Sequence, residues 1–209
     1  MNEIQNNINN IKKNLNSNIS ILAVTKTRTL DEINSAINGG ILHIGENYVE
    51  EAYEKYPYVT SGNVKKHFIG HLQSNKAKRA VELFDVIQTV DSIKLLEKIE
   101  SYGKKIDVMF QVNTSPDSNY HGINFEEFDD FYKNVLELQL KNVNITGLMT
   151  IASENDPRTC FKRLYNIKQR TKLDVLSMGM SHDYEIAIEE GATMIRLGTK
   201  IFGKRKINK

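Results

Sequence analysis

Lys26 closes the run Ile19-Ser20-Ile21-Leu22-Ala23-Val24-Thr25-Lys26, an apolar, β-branched stretch that reads as a buried strand with an amine at its carboxyl end. Taking an ammonium out of water favours its neutral form, so a lysine held there is able to act as an amine nucleophile and form a Schiff base. The plainer alternative is an amine that snorkels from the strand end into solvent. Two later segments carry a different chemistry. Ser177-Met178-Gly179-Met180-Ser181-His182-Asp183 runs from a strand through a small-residue loop into a helical pattern, and Gly198-Thr199-Lys200-Ile201-Phe202-Gly203 reads as a short turn after the last strand. Backbone N–H groups presented by such loops bind phosphate, and Gly179, Ser181, Gly198 and Thr199 are the candidates for that cradle; two ordinary strand-to-helix turns are the alternative.

Arg196 lies inside the apolar strand Ala192-Thr193-Met194-Ile195-Arg196-Leu197-Gly198. A guanidinium stays charged at any relevant pH and is costly to bury without an acceptor, so Arg196 is expected to face a carboxylate or a ligand atom. Other signals are weaker. His67 and His71 are four apart, but Gly70 and the strand pattern of His67-Phe68-Ile69 take them off a helical face, and no metal site is expected. Lys76-Ala77-Lys78-Arg79 and Lys204-Arg205-Lys206 lack interleaved aromatics and read as solvated surfaces, and the lone Cys160 reads as a small apolar packer.

These residues need elements to hold them. Apolar strands are predicted near residues 19–26, 41–45, 66–70, 85–90, 105–113, 143–150, 174–179 and 193–198, with helical patterns between them over 30–38, 92–102, 124–138 and 183–190, and an opening helix over 2–14. Thr29 and Glu32 form a Thr-x-x-Glu capping box, and Gly39-Gly40 stops the same helix. Eight strand-helix units with short links predict one α/β domain over residues 1–209, a closed parallel (β/α)8 TIM barrel with an extra N-terminal helix, in preference to an open doubly wound sheet. Barrel sites are built at the carboxyl ends of strands. There stand Lys26, Gly45-Glu46-Asn47, Gly70-His71, Asp91, Asn113, Met149-Thr150, Ser177 to Ser181, and Arg196 to Thr199.

Composition narrows the function classes. With 28 Lys+Arg against 26 Asp+Glu the net charge is +2, which supplies no global field for nucleic acid or membrane. One cysteine allows neither an intrachain disulfide nor a cysteine metal cluster. The first residues lack a basic and apolar leader, and no apolar stretch approaches the roughly 20 residues that span a bilayer, so a cytoplasmic protein is expected.

Taken in order, the blocks Leu22-Ala23-Val24-Thr25-Lys26-Thr27, Gly45-Glu46-Asn47-Tyr48, His67 to Lys76, Gly147-Leu148-Met149-Thr150-Ile151, Ser177 to Ser181 and Ile195 to Gly203 resemble the pyridoxal phosphate homeostasis proteins. These are relatives of the alanine racemase amino-terminal barrel, fold-type III. The resemblance implies that Lys26 holds pyridoxal 5′-phosphate (PLP) as an internal aldimine and that Ser177 to Ser181, with Gly198 and Thr199, bind its phosphate. It also implies that Arg196 lies by the pyridine nitrogen and that Asn47 and Met149 line the pocket. His121, in Asn119-Tyr120-His121-Gly122-Ile123, and His71 depart from the family pattern at the rim.

An arginine beside the ring nitrogen disfavours its protonation and weakens the ring as an electron sink. In racemases a second acid/base, a tyrosine, comes from a carboxyl-terminal domain of the partner subunit; the sequence runs out at Lys209, directly after the eighth unit. The resemblance therefore implies an intracellular carrier or buffer of PLP with weak or no turnover, acting as a monomer and handing cofactor to PLP-dependent apo-enzymes. A fold-type III enzyme such as an amino-acid racemase is the alternative, and a Schiff-base aldolase for a sugar phosphate a weaker one.

Overall fold

In the computed structural model, which describes residues 2–59, 63–115 and 120–204, eight parallel strands close into a barrel. They are β1 (Ser20–Val24), β2 (His43–Glu46), β3 (Lys65–Phe68), β4 (Val86–Val90), β5 (Ile106–Asn113), β6 (Val143–Met149), β7 (Val175–Ser177) and β8 (Met194–Leu197). Each pairs with the next in sequence, and β8 closes on β1 through Leu22 opposite Arg196. A two-residue strand, Ile123–Asn124, pairs with the end of β5 and has no counterpart in the predicted pattern.

Alternation along the strands sorts the side chains into two layers. Ala23, Ile44, Phe68, Ile87, Leu148, Leu176, Ile195 and Leu197 point outward and join the main core between strands and helices. Leu22, Ile69 and Met194 form a separate small cluster inside the barrel. Each such buried Leu or Ile contributes about 1.5–3 kcal/mol, so the outer layer dominates the stability and leaves the lumen free for polar groups.

The helices are α1 (Glu3–Lys13), α2 (Leu30–Asn38), α3 (Val49–Lys55), α4 (Ala77–Leu83), α5 (Ile93–Glu100), α6 (Phe128–Leu136), α7 (Pro157–Arg170), α8 (Tyr184–Glu189) and α9 (Thr199–Phe202). The predicted box at α2 is reciprocal: Glu32 N–H donates to Thr29 Oγ1 at 3.2 Å and Thr29 N–H to Glu32 Oε2 at 2.8 Å. Two asparagines of the first turns have structural work as well. Asn2 caps α1, and Asn7 Nδ2 donates to the Ile201 carbonyl of α9 at 3.0 Å, so the extra helix is tied to the end of the eighth unit.

Several boundaries move. The segment after β8 is a one-turn helix rather than a bare turn, and β7 ends at Ser177, so Met178 and Gly179 belong to the loop. The helix predicted over 124–138 opens as a 3-10 turn, Phe125–Glu127, because Asn124 Oδ1 accepts from Glu126 N–H there. Cys160 is buried in α7. Asn119, Arg205 and Lys206 lie outside the described residues.

Candidate functional site

Strand order places the predicted residues on one arc of the carboxyl rim. Going round the barrel as β6, β7, β8, β1, β2, the strand ends present Met149, then Ser177 to Ser181, then Arg196 to Thr199, then Lys26, then Asn47. A Cβ placed on Gly198 would lie 3.6 Å from Val24 Cβ, so the turn that opens α9 rests directly against the strand leading to Lys26.

The turn carrying Lys26 is held from several sides. Thr27 has φ +63°, a left-handed conformation that a β-branched residue adopts only when its surroundings impose it. What imposes it is visible. Lys55 Nζ, from α3, donates to the Thr25 carbonyl at 2.9 Å and the Arg28 carbonyl at 3.4 Å, and pairs with Glu46 Oε1 at 2.6 Å and Glu51 Oε1 at 2.7 Å. Glu51 Oε1 also accepts the Thr27 N–H at 2.5 Å. Thr25 Oγ1 reaches Glu46 Oε1 at 3.2 Å and Tyr56 Oη at 3.0 Å, and Arg28 donates to the carbonyls of Phe202 and Gly203 at 3.3 and 2.6 Å. Burial raises the Glu46 carboxyl above its ordinary value against the pull of Lys55, and burial holds the Tyr56 phenol protonated. Lys26 itself is half-buried.

Arg196 is buried and held by strand-end acceptors: Nη1 donates to the Ser177 carbonyl at 2.6 Å and Ser177 Oγ at 3.1 Å, and Nη2 to the Thr150 carbonyl at 2.7 Å. Strand-end carbonyls are strong acceptors, and they satisfy the guanidinium without an ion pair. Burial lowers its pKa to about 10, partly countered by the charge of Asp183, so it stays protonated at neutral pH. Ser177, expected with the rest of its loop to bind the phosphate, takes part in the same contacts: its hydroxyl donates to Gln88 Oε1 at 2.7 Å inside the barrel, beneath Arg196.

The candidate cradle residues lie on the two loops. Gly198 N–H and Lys200 N–H both point to Ser181 Oγ at 3.4 Å, long bonds that a charged acceptor would replace with stronger ones, and Thr199 is exposed beside them. Gly179 has φ +91°, and a Cβ there would lie 2.6 Å from Ala187 Cβ, so only glycine lets the loop lie on α8. Asp183 Oδ1 accepts the Met180 N–H at 2.5 Å and fixes the loop from below. On the other side of the arc, Gly70 packs so tightly that a Cβ would sit 1.9 Å from the Asn47 carbonyl oxygen. Asn47 Oδ1 is buried with no hydrogen-bond partner among the described residues, and Met149 is buried.

The remaining strand ends form a separate group. His71 and His121 stack with ring centroids 4.1 Å apart, and His71 Nδ1 lies 3.8 Å from Asp91 Oδ2. His67 lies away from them, buried inside the barrel. Among the described residues no group of three or more His, Cys, Asp or Glu is placed to hold a metal ion, and no helix is long and apolar enough to cross a membrane.

The model of the alanine racemase N-terminal domain matches residues 1–206. A pyridoxal phosphate homeostasis protein of Synechocystis sp. is 39% identical over 203 residues, covering 90% of this chain and 92% of that protein. One from Pasteurella multocida is 36% identical over 210 residues, covering 92% and 89%. The chain belongs to the pyridoxal phosphate homeostasis proteins.

Solved structures agree. PipY of Synechococcus elongatus PCC7942 with PLP bound superposes with a TM-score of 0.87 at 33% identity, covering 96% of this chain and all of that one. An alanine racemase from Clostridium difficile 630 reaches a TM-score of 0.75 at 17% identity and covers 57% of its chain, which shows a shared barrel. For a member of the homeostasis family the donor set is apt: an amine on a held turn, convergent N–H groups on the neighbouring loops, and a buried acceptor without a partner at Asn47. The contacts around Lys26 escaped the sequence reading. Glu51 and Lys55 are four apart on a short helix and look like an ordinary surface pair.

Proposed function

We propose that this protein binds pyridoxal 5′-phosphate covalently through Lys26 and serves intracellular PLP homeostasis, holding the cofactor for delivery to apo-enzymes rather than turning over a substrate. The observation that carries the reading is the coincidence, on the adjacent ends of β7, β8 and β1, of an amine on an over-determined turn and an anion cradle. Bound PLP supplies an aldehyde that condenses reversibly with an amine and a ring that withdraws electrons from what is attached to it.

The chain's own residues divide the work. Lys26 provides the amine; Ser181, Gly198, Thr199 and Lys200 take the phosphate through their hydroxyl and N–H groups; Gly179 lets that loop lie low on α8. Asn47 would offer its unpartnered Oδ1 to a donor group of the ligand, and Met149 an apolar wall. Arg196, charged at neutral pH, would disfavour protonation of the ring nitrogen, which favours holding the cofactor over carbanion chemistry. Titrating the apo-protein with PLP tests this: wild type gains the visible absorption of lysine-bound cofactor at one equivalent, and Lys26→Ala does not. Equal absorption by the variant contradicts the assignment.

A further inference from the structure

One hydrogen-bonded chain of side chains crosses the barrel lumen. Arg196 Nη1 donates to Ser177 Oγ at 3.1 Å, and Ser177 donates to Gln88 Oε1 at 2.7 Å. Gln88 Nε2 is 2.9 Å from His67 Nδ1, and His67 Nε2 is 2.9 Å from His43 Nδ1. The chain leaves β8 and β7, crosses the lumen to β4, and returns along β3 to β2. Arg196, Ser177, Gln88 and His67 are all buried, and His43 is half-buried.

Its direction is fixed from one end. A guanidinium only donates, so Ser177 Oγ accepts from Arg196, and because the Gln88 amide turns its Oε1 to Ser177, the hydroxyl proton goes to that oxygen. The Gln88 amide then presents Nε2, a donor, to His67, whose Nδ1 must accept. Burial, reinforced by the Lys65 ammonium, keeps His67 neutral, so its proton sits on Nε2 and goes to His43 Nδ1. Lys65 is in turn paired with Asp107 at 3.3 Å. Both histidines are thereby Nε2–H tautomers, and no single member can turn over alone without leaving two like groups face to face.

We propose that Gln88 and His67 are positioning residues for Arg196: from the opposite wall of the barrel they lock the Ser177 hydroxyl, and with it the direction in which the guanidinium meets the cofactor ring. The proposal rests on the reading of Arg196 as the ring-nitrogen partner. Its geometric half does not, because the tautomers are set in the protein without ligand.

The test has two arms. Nitrogen-15 NMR of ligand-free protein should show His67 and His43 as neutral Nε2–H tautomers at pH 7.5, and the opposite tautomer at His67 overturns the chain. PLP binding is then compared in Gln88→Leu, which removes the acceptor of the Ser177 hydroxyl proton and the donor to His67 Nδ1, and in Gln88→Glu, which keeps an acceptor for Ser177. For Gln88→Leu we expect binding weaker on the order of tenfold with a shifted visible absorption maximum, and for Gln88→Glu a maximum near that of wild type. Borohydride labelling of Lys26 in both variants separates this from the assignment of the amine, which survives if the label stays at Lys26. Gln88→Leu protein that folds and binds PLP with unchanged affinity and spectrum overturns the positioning role. Should Gln88→Leu not fold, Ser177→Ala takes its place with the same two readouts.

Discussion

Lys55 Nζ donates to the carbonyl of Thr25 at 2.9 Å, one residue before Lys26, the amine proposed to hold the cofactor. The same ammonium holds the Arg28 carbonyl and two carboxylates, so α3 grips both ends of a four-residue turn. An amine on a turn fixed this way reaches a ligand with little of its backbone entropy still to lose, which is the physical content of preorganisation here.

Removing that grip should cost both stability and affinity. The Glu46 side chain is fully buried and Lys55 nearly so, and cutting one partner from such a pair leaves an uncompensated charge worth about 3–5 kcal/mol. Lys55→Met is expected to lose about 3 kcal/mol in urea denaturation and to bind PLP at least tenfold more weakly. Adding Glu46→Gln should recover part of the stability but not the affinity.

Thr27 separates strain from stability. Its φ of +63° costs about 1–2 kcal/mol for a non-glycine residue, while glycine adds back about 0.5–1 kcal/mol of chain entropy on unfolding. Thr27→Gly should therefore be neutral to about 1 kcal/mol more stable, yet bind PLP more weakly because the turn is freer. A glycine variant with tighter binding would show that the strain is not used.

Stability should fall with acid through the lumen histidines. Burial depresses His67 well below its ordinary value and His43 less so, which means the unfolded chain takes up protons first as pH drops below about 6.5. The stabilisation is complete above that pH and is lost as pH falls towards the folded-state values, by at most about 1.4 kcal/mol per pH unit for each histidine. Urea denaturation between pH 7.5 and 5 measures the slope, and His67→Gln should flatten it.

Gly179→Ala should damage the cradle without touching Lys26. At φ +91°, with a new Cβ 2.6 Å from Ala187 Cβ, the loop has to lift off α8. We expect a loss of about 1–3 kcal/mol in stability and a weakened response to inorganic phosphate as competitor of PLP, with binding of phosphate-free pyridoxal little changed.

How far these features were legible follows from where their partners lie in the chain. The eight strands and the box of Thr29 and Glu32 are local patterns, and the structure shows them nearly as the periodicity predicts. Arg196 was recognisable as a buried cation, but its partners are main-chain carbonyls at Ser177 and Thr150, which no residue type reveals. Ser177 was legible as a strand-end hydroxyl, but its partner Gln88 comes from β4 on the opposite wall of the barrel, a contact that no local pattern reveals. The Lys55 network was hidden for another reason. Glu46 and Glu51 come from two different elements, and only the packing of α3 against the end of β2 brings both to one ammonium.

The central claim is that Lys26 is the amine that holds the cofactor. Reducing the PLP-loaded protein with borohydride and mapping the modified peptide by mass spectrometry tests it most directly. The account predicts one pyridoxyl group per chain, on Lys26, while Lys55 stays unlabelled behind its four oxygen partners. A label on any other lysine, or none after loading, would contradict it.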